Sequence, residues 1–282
     1  MQAKTEKDEP RSRGLGASKR RLSDNEIQRR MMEAAEAMVE TTGLTVSLDH
    51  LSFEEVIQRA GVSRSAVYRL WPYKEEFYLD LVCELAGPSW QRSVLGNEET
   101  IARAMDVVLA NQEKLSTAEG RQWLVREAIR QVTSFDFEAL AGSKQWQTYV
   151  ALAGTVLSLP EGEARSRVLA ALKSGEDVFQ KEITGFYETM ARILGFRMRE
   201  PYGGDFSVLT MCGASVLEGL ALRYWVSPEL AETKFLLPNG ADQTEWSIAS
   251  IGYLAIFEQL IEVDPEYDLD EAFAELVVLA DQ

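Results

Sequence analysis

Residues 53–77 read FEEVIQRAGVSRSAVYRLWPYKEEF, and the rest of the chain is understood from this segment outward. Ser52, just ahead of it, and Glu55 match a capping box, in which each side chain satisfies an orphan backbone N–H at a helix start. The spacing predicts a helix opening near Phe53, with Phe53, Val56, Ile57 and Ala60 on one side. Gly61 ends it, since glycine adopts the positive φ that turns a chain sharply. Ser63 is placed to cap a short helix from Arg64 to about Leu70, with Val67 and Leu70 inward, and Pro72 forbids its continuation. Lys74 to Ala86 make a further helix, with Phe77, Leu81, Val82 and Leu85 at helical spacing. Upstream, Ile27, Met31, Ala34 and Met38 form the apolar face of a helix from Asp24 to about Thr42, which Gly43 would cap.

Two short helices joined by a glycine turn make the helix-turn-helix pattern, whose second helix enters the major groove of DNA. Packed helices that bind no DNA also share this outline. The wording of the segment closely resembles the DNA-binding signature of the tetracycline-repressor-like (TetR) family of bacterial transcription regulators. Ala60-Gly61-Val62-Ser63, then Val67-Tyr68-Arg69, then Trp71, with Lys74-Glu75 opening the next helix, stand in the family's order and spacing. The resemblance covers about Ile27 to Leu85. It departs at Ile57, where the family commonly has alanine, in a longer loop from Gly43 to Ser52, and at Glu54, where a basic or polar residue is usual.

Several side chains fit a DNA-facing role. Arg64, Ser65 and Ala66 occupy the first turn of the second helix, which reaches base edges; Arg64 suits guanine O6 and N7, and Ala66 a thymine methyl. The tyrosine matching Tyr68 touches a backbone phosphate in the family, and Arg69 reaches phosphate or base. Lys74 adds its charge to a helix N-terminus suited to a phosphate oxygen. Ser52 combines capping with a phosphate contact, Ser63 stands at the entry to the reading helix, and Glu54 can accept from cytosine N4. Core packing is the competing role for Tyr68 and Trp71, and the favoured one for Trp71.

The chain has 282 residues, a globular composition and a net charge of −16. The charge is uneven: residues 1–74 carry 13 Lys and Arg against 11 Asp and Glu, whereas residues 75–282 carry 16 against 34. A basic-to-neutral head on an acidic body would meet a polyanion head first. The polar first 22 residues, with Arg11, Arg13, Lys19, Arg20 and Arg21, read as a disordered arm, either lying in a minor groove or serving only to solubilise. A single histidine, His50, removes triads, Cys/His pairs and His-rich metal sites, so no enzyme, no metal and no cofactor are expected. Cys83 and Cys212 support no disulfide framework. No stretch approaches the roughly 20 apolar residues of a membrane span, and the N-terminus lacks a secretory core, so a cytoplasmic location without membrane partners is expected.

The remainder reads as helices at roughly 98–115, 119–132, 137–158, 161–195, 206–226, 243–262 and 269–280, without a convincing strand. The 161–195 stretch, with Gly175 and Gly185, reads as two helices or one kinked helix. The TetR resemblance implies that this part dimerises and encloses a small effector. Trp123, Trp146, Tyr149, Phe179, Phe186, Tyr187 and Met211 are candidates for a ligand pocket. The helix containing Leu217-Glu218-Gly219-Leu220-Ala221-Leu222-Arg223 and the one from Trp246 to Ile261 are candidates for a four-helix dimer interface through Leu217, Leu220, Tyr224, Tyr253, Phe257 and Leu260, a role compatible with core burial.

The expected fold class is all-α: a disordered basic arm at 1–22, a three-helix DNA-binding domain at 23–74 and a helical effector-binding and dimerisation domain at 75–282. The expected function is a homodimeric, ligand-responsive repressor on a palindromic operator in double-stranded DNA, answering to a small-molecule effector. The alternative is a helical interaction or scaffold protein that has lost specific DNA reading.

Overall fold

The structure, a computed structural model, describes residues 22–42, 51–88 and 95–280. Most of the basic arm, Gly43, His50 and most of the loop that contains them lie outside these residues. Helices dominate: α1 (Asp24–Thr42), α2 (Phe53–Ala60), α3 (Arg64–Leu70), α4 (Lys74–Leu85), α5 (Glu98–Ala110), α6 (Ala118–Gly142), α7 (Lys144–Ser158), α8 (Glu163–Leu194), α9 (Ser207–Tyr224), α10 (Glu229–Glu232), α11 (Ile248–Leu260) and α12 (Leu269–Ala280). Two antiparallel ribbons accompany them, β1 (Phe196–Met198) with β4 (Ile261–Val263) and β2 (Lys234–Asn239) with β3 (Asp242–Ser247).

The first four helices close around one core. Ile27, Met31, Val39, Leu51, Val56, Val67, Phe77, Leu81 and Leu85 are almost wholly buried, each contributing roughly 1.5–3 kcal/mol of apolar transfer. On α1 the inward stripe is Ile27, Met31, Ala35 and Met38; Ala34 sits only half-buried beside it. Ser52 Oγ accepts the Glu55 N–H at 3.4 Å, but the Glu55 carboxylate goes to Arg59 at 2.8 Å, so only half of the expected capping box forms. Gly61 takes φ +63°, a left-handed conformation that a β-carbon would strain. Ser63 occupies the cap position of α3 without a side-chain cap; its backbone carbonyl instead accepts from Ala66 and Val67 at 3.0 and 3.1 Å. Ile57, despite its bulk, is accommodated in the core.

In the body, α6 packs on α5, α9 and α11, while α8 runs beside α9 and α12. Separate helices at roughly 119–132 and 137–158 are expected from the sequence, yet α6 runs from Ala118 to Gly142 without interruption. The hydroxyls of Thr133 and Ser134 bond back to Ile129 and Arg130 carbonyls at 2.5 and 2.8 Å, and Thr100 bonds Asp136, so these polar groups are satisfied inside a helix. The break falls at Ser143, whose hydroxyl caps α7 through the Trp146 N–H at 3.1 Å. Residues 163–194 form one helix, α8.

The β2–β3 hairpin corrects the expectation of a helix from 243. Its two-residue turn, Gly240-Ala241, is entered at Gly240 with φ +66° and preceded by Asn239. Trp246 is therefore a fully buried strand residue, and α11 starts after Ser247. α6 clasps the ribbon: the Asn239 amide donates to Glu127 Oε2 at 3.1 Å, and Arg126 donates to the Pro238 carbonyl at 3.3 Å.

Candidate functional site

Two places gather the candidate residues: the outer face of α3 and a cavity in the body. Val67 points into the core, which turns Ser63, Arg64, Ser65, Tyr68 and Arg69 to the surface, with Ala66 half-buried. Lys74 is exposed at the first position of α4, and Ser52 and Glu54 are exposed at the start of α2. These sequence-predicted residues are thus accessible, apart from the half-buried Ala66, and the contacts bring Glu54, Arg64 and Tyr68 together.

Acids occupy the basic groups there. Arg64 Nε donates to Glu54 Oε2 at 2.6 Å, and the Tyr68 hydroxyl donates to Glu54 Oε1 at 3.2 Å. The Arg64 guanidinium holds the Glu54 carboxyl below its ordinary value. Arg69 reaches Asp24 at the start of α1. Tyr68 does two things: its ring stands edge-on to Phe53 at 5.7 Å, while 44% of the residue stays exposed. Trp71 is a packing residue, buried and edge-on to Phe77 at 5.2 Å. Its indole N–H donates to Asp80 Oδ2 at 2.8 Å, and Asp80 Oδ1 accepts from Arg167 of α8 at 2.6 Å. The N-terminal half of α8 thereby bonds to the same carboxylate as the end of α3.

The C-terminal half of α8 walls a cavity of about 120 Å³, together with α5, α6, α9 and α11. Phe179, Phe186 and Tyr187 line it, as expected, and so do Leu217, Tyr253 and Phe257, which had been assigned to a dimer interface. The other pocket candidates lie elsewhere. Trp123 packs outside, under Lys114 at 4.7 Å; Trp146 stacks on Tyr149 at 5.3 Å in a separate cluster; Met211 is 58% exposed on the outer face of α9. Leu260 is buried in the body's core, and Leu220 and Tyr224 pack into the Trp146 cluster, so all six dimer candidates pack within their own chain. The exposed large apolar positions of α9 are Met211 and Leu222, spaced to share one face, and Val226 is exposed just beyond its end.

The residue that sequence reasoning missed is Asp136. It is 6% exposed and lines the cavity, with the Thr100 hydroxyl donating to its Oδ1 at 2.6 Å. Burial pushes its carboxyl up to about 7, outweighing the opposing help of Thr100 and the Gly96 backbone. Burial also raises Tyr187 to about 12 and Tyr253 well above its ordinary value. A signal was present, because Val125, Ala128, Ile129, Val132, Thr133 and Asp136 follow the three-and-four spacing of an inward helical face.

Cys83 and Cys212 are free thiols. Among the described residues, no group of three or more His, Cys, Asp and Glu side chains is placed to hold a metal, and no helix is long and apolar enough to cross a membrane. No family model matches the chain, and a comparison with curated proteins finds no match.

Proposed function

We propose that the chain is a TetR-like, sequence-specific DNA-binding regulator in which α2 and α3 form a helix-turn-helix and the body binds a small effector. The observation that carries this reading is the outer face of α3, where Arg64, Ser65, Tyr68 and Arg69 stand together above a buried Val67. The side chains suited to bases and phosphates are the ones the fold leaves accessible. The acidic body supports a single approach, with this face toward the polyanion. The cavity supports the effector, and repression follows if the ligand favours a shape that fits the operator less well.

The protein acts as a homodimer in this reading, so two copies of α3 meet two half-sites of a palindrome. The outer face of α9, with Met211 and Leu222, is the surface offered for pairing.

Selection of the purified protein against a random DNA pool at two salt concentrations tests the function. A palindrome whose recovery Arg64→Ala alters at one base position per half-site supports it; absent or sequence-blind binding refutes it. A second reading, an interaction protein that no longer reads DNA, draws on one observation: Glu54 and Asp24 already engage Arg64 and Arg69. Indifference of all binding to Arg64→Ala would favour it.

A further inference from the structure

The cavity holds more chemical information than its size. Among the described residues its walls are apolar side chains interrupted by hydroxyls and by one carboxylate, Asp136, with no Lys, Arg or His in the lining. Asp136 therefore sits out of water with a neutral hydroxyl, Thr100, as its hydrogen-bonded side-chain partner. A buried carboxylate in that position is costly to ionise, and a partner that brought a positive charge would relieve the cost. The surrounding field points the same way, because residues 75–282 carry 34 acidic against 16 basic side chains, which attracts cations and repels anions. Phe179, Phe186, Tyr187 and Tyr253 add ring faces suited both to a hydrocarbon chain and to a nearby ammonium group.

We infer that the cavity takes an amphipathic organic amine, its ammonium group on Asp136 and its hydrocarbon part among the aromatic and aliphatic walls. This deepens the regulator reading by naming the chemical class of the effector, and it rests on that reading only for its biological role. The volume of about 120 Å³ lies a little below that of a cavity of roughly 150 Å³ that holds benzene, which suits an amine of about four or five carbons. Cation binding requires the ionised carboxylate. Among the described residues the titratable groups facing Asp136 are Tyr187 of α8 and Tyr253 of α11, both held neutral across the working range, so Asp136 governs the pH dependence.

Calorimetric titration of the full chain, without DNA, with n-pentylamine, 1-pentanol and pentanoate is the test, because the three probes share a tail and differ in head charge. At pH 8 pentylamine is expected to bind on the order of tenfold or more tighter than pentanol, with pentanoate weakest. At pH 6, where Asp136 takes up a proton, the amine's advantage shrinks. Asp136→Asn, which keeps the shape and removes the charge, abolishes the preference of the amine over pentanol. Pentanol or pentanoate binding as well as the amine, no binding of any probe, or an undiminished preference in Asp136→Asn would each overturn the inference. The readout contains no DNA, so a failed amine site leaves the operator reading standing, and a failed operator selection leaves the amine site standing.

Discussion

Replacing Asp136 with asparagine should make the protein more stable at neutral and alkaline pH, by an amount that grows with pH. In the folded chain the carboxyl is raised from 3.8 to about 7 by burial. A raised carboxyl keeps its proton longer in the folded than in the unfolded chain, so its contribution to stability is fully present below about 3.8 and is lost as pH rises toward 7. The full loss, a little over three pH units at 1.36 kcal/mol each, is about 4 kcal/mol. Between pH 5 and pH 8 the portion lost is about 3 kcal/mol, because part has already gone by pH 5. Asparagine has the same outline and can accept the Thr100 hydroxyl bond at its carbonyl oxygen, yet it does not titrate. Urea unfolding of both proteins at pH 5, 6, 7 and 8, followed by tryptophan fluorescence and circular dichroism, isolates the term as a difference between two curves. The gap should widen by about 3 kcal/mol toward pH 8. Parallel curves would mean that the carboxylate is not desolvated in the folded chain and would remove the physical basis of the cavity argument.

Other perturbations follow from the same geometry. Glu54→Gln replaces the ion pair with Arg64 by a neutral contact and removes a negative charge beside α3, so on the proposed reading non-specific DNA affinity should rise severalfold at low salt, as fluorescence anisotropy would detect. Arg64→Ala should reduce discrimination at one base position by on the order of ten- to a hundredfold in competition binding, with little change elsewhere in the site. Asp80→Ala leaves the buried Trp71 indole without its acceptor and should cost about 1–3 kcal/mol in chemical unfolding, whereas Asp80→Asn, which preserves an acceptor, should cost less. A β-carbon at Gly213 would stand 2.4 Å from the Tyr253 ring, so Gly213→Ala should lower stability by about 1–3 kcal/mol despite its gain in helix propensity; Gly185→Ala, with open space around it, should be neutral or slightly stabilising.

The legible and illegible parts of the sequence separate along physical lines. Short-range rules succeed where one residue decides the backbone: Ser52 at a helix start, Gly61 at a left-handed turn and Pro72 past a helix end stand where their chemistry requires. The inward stripe of α1 was legible for the same reason, apart from Ala34, which ceded its place to Ala35 on a neighbouring azimuth. The division between 132 and 137 fails, because Thr133 and Ser134 bond to their own helix's carbonyls and Asp136 takes the Thr100 hydroxyl, so the polar run stays inside one helix. The hairpin was missed although Asn239-Gly240 between Phe235-Leu236-Leu237 and Thr244-Glu245-Trp246 is a turn signal, since the apolar run that follows it reads as helix. Aromatic content located only part of the cavity: Phe179, Phe186 and Tyr187 face it, whereas Trp123, Trp146 and Tyr149 fill space elsewhere. Size alone does not say toward which side of a helix a ring turns. At α3 the inward turn of Val67 was legible but the partners of the exposed residues were not, because the pairing of Glu54 with Arg64 joins two helices across a turn.

The unbroken α8 has a mechanical meaning. At 1.5 Å per residue its 32 residues extend about 48 Å, and about 24 Å separates Arg167 from Ile183 along the axis. A helix of this kind behaves as a stiff beam resting on two supports, α4 at one end and the cavity wall at the other. Tilting it by about 5° around the cavity end sweeps Arg167 through roughly 2 Å, more than the clearance of a hydrogen bond. With the pivot near Ile183, Tyr187 lies about 6 Å beyond it on the short arm, so a shift of about half an ångström there is magnified about fourfold at the carboxylate beside Trp71.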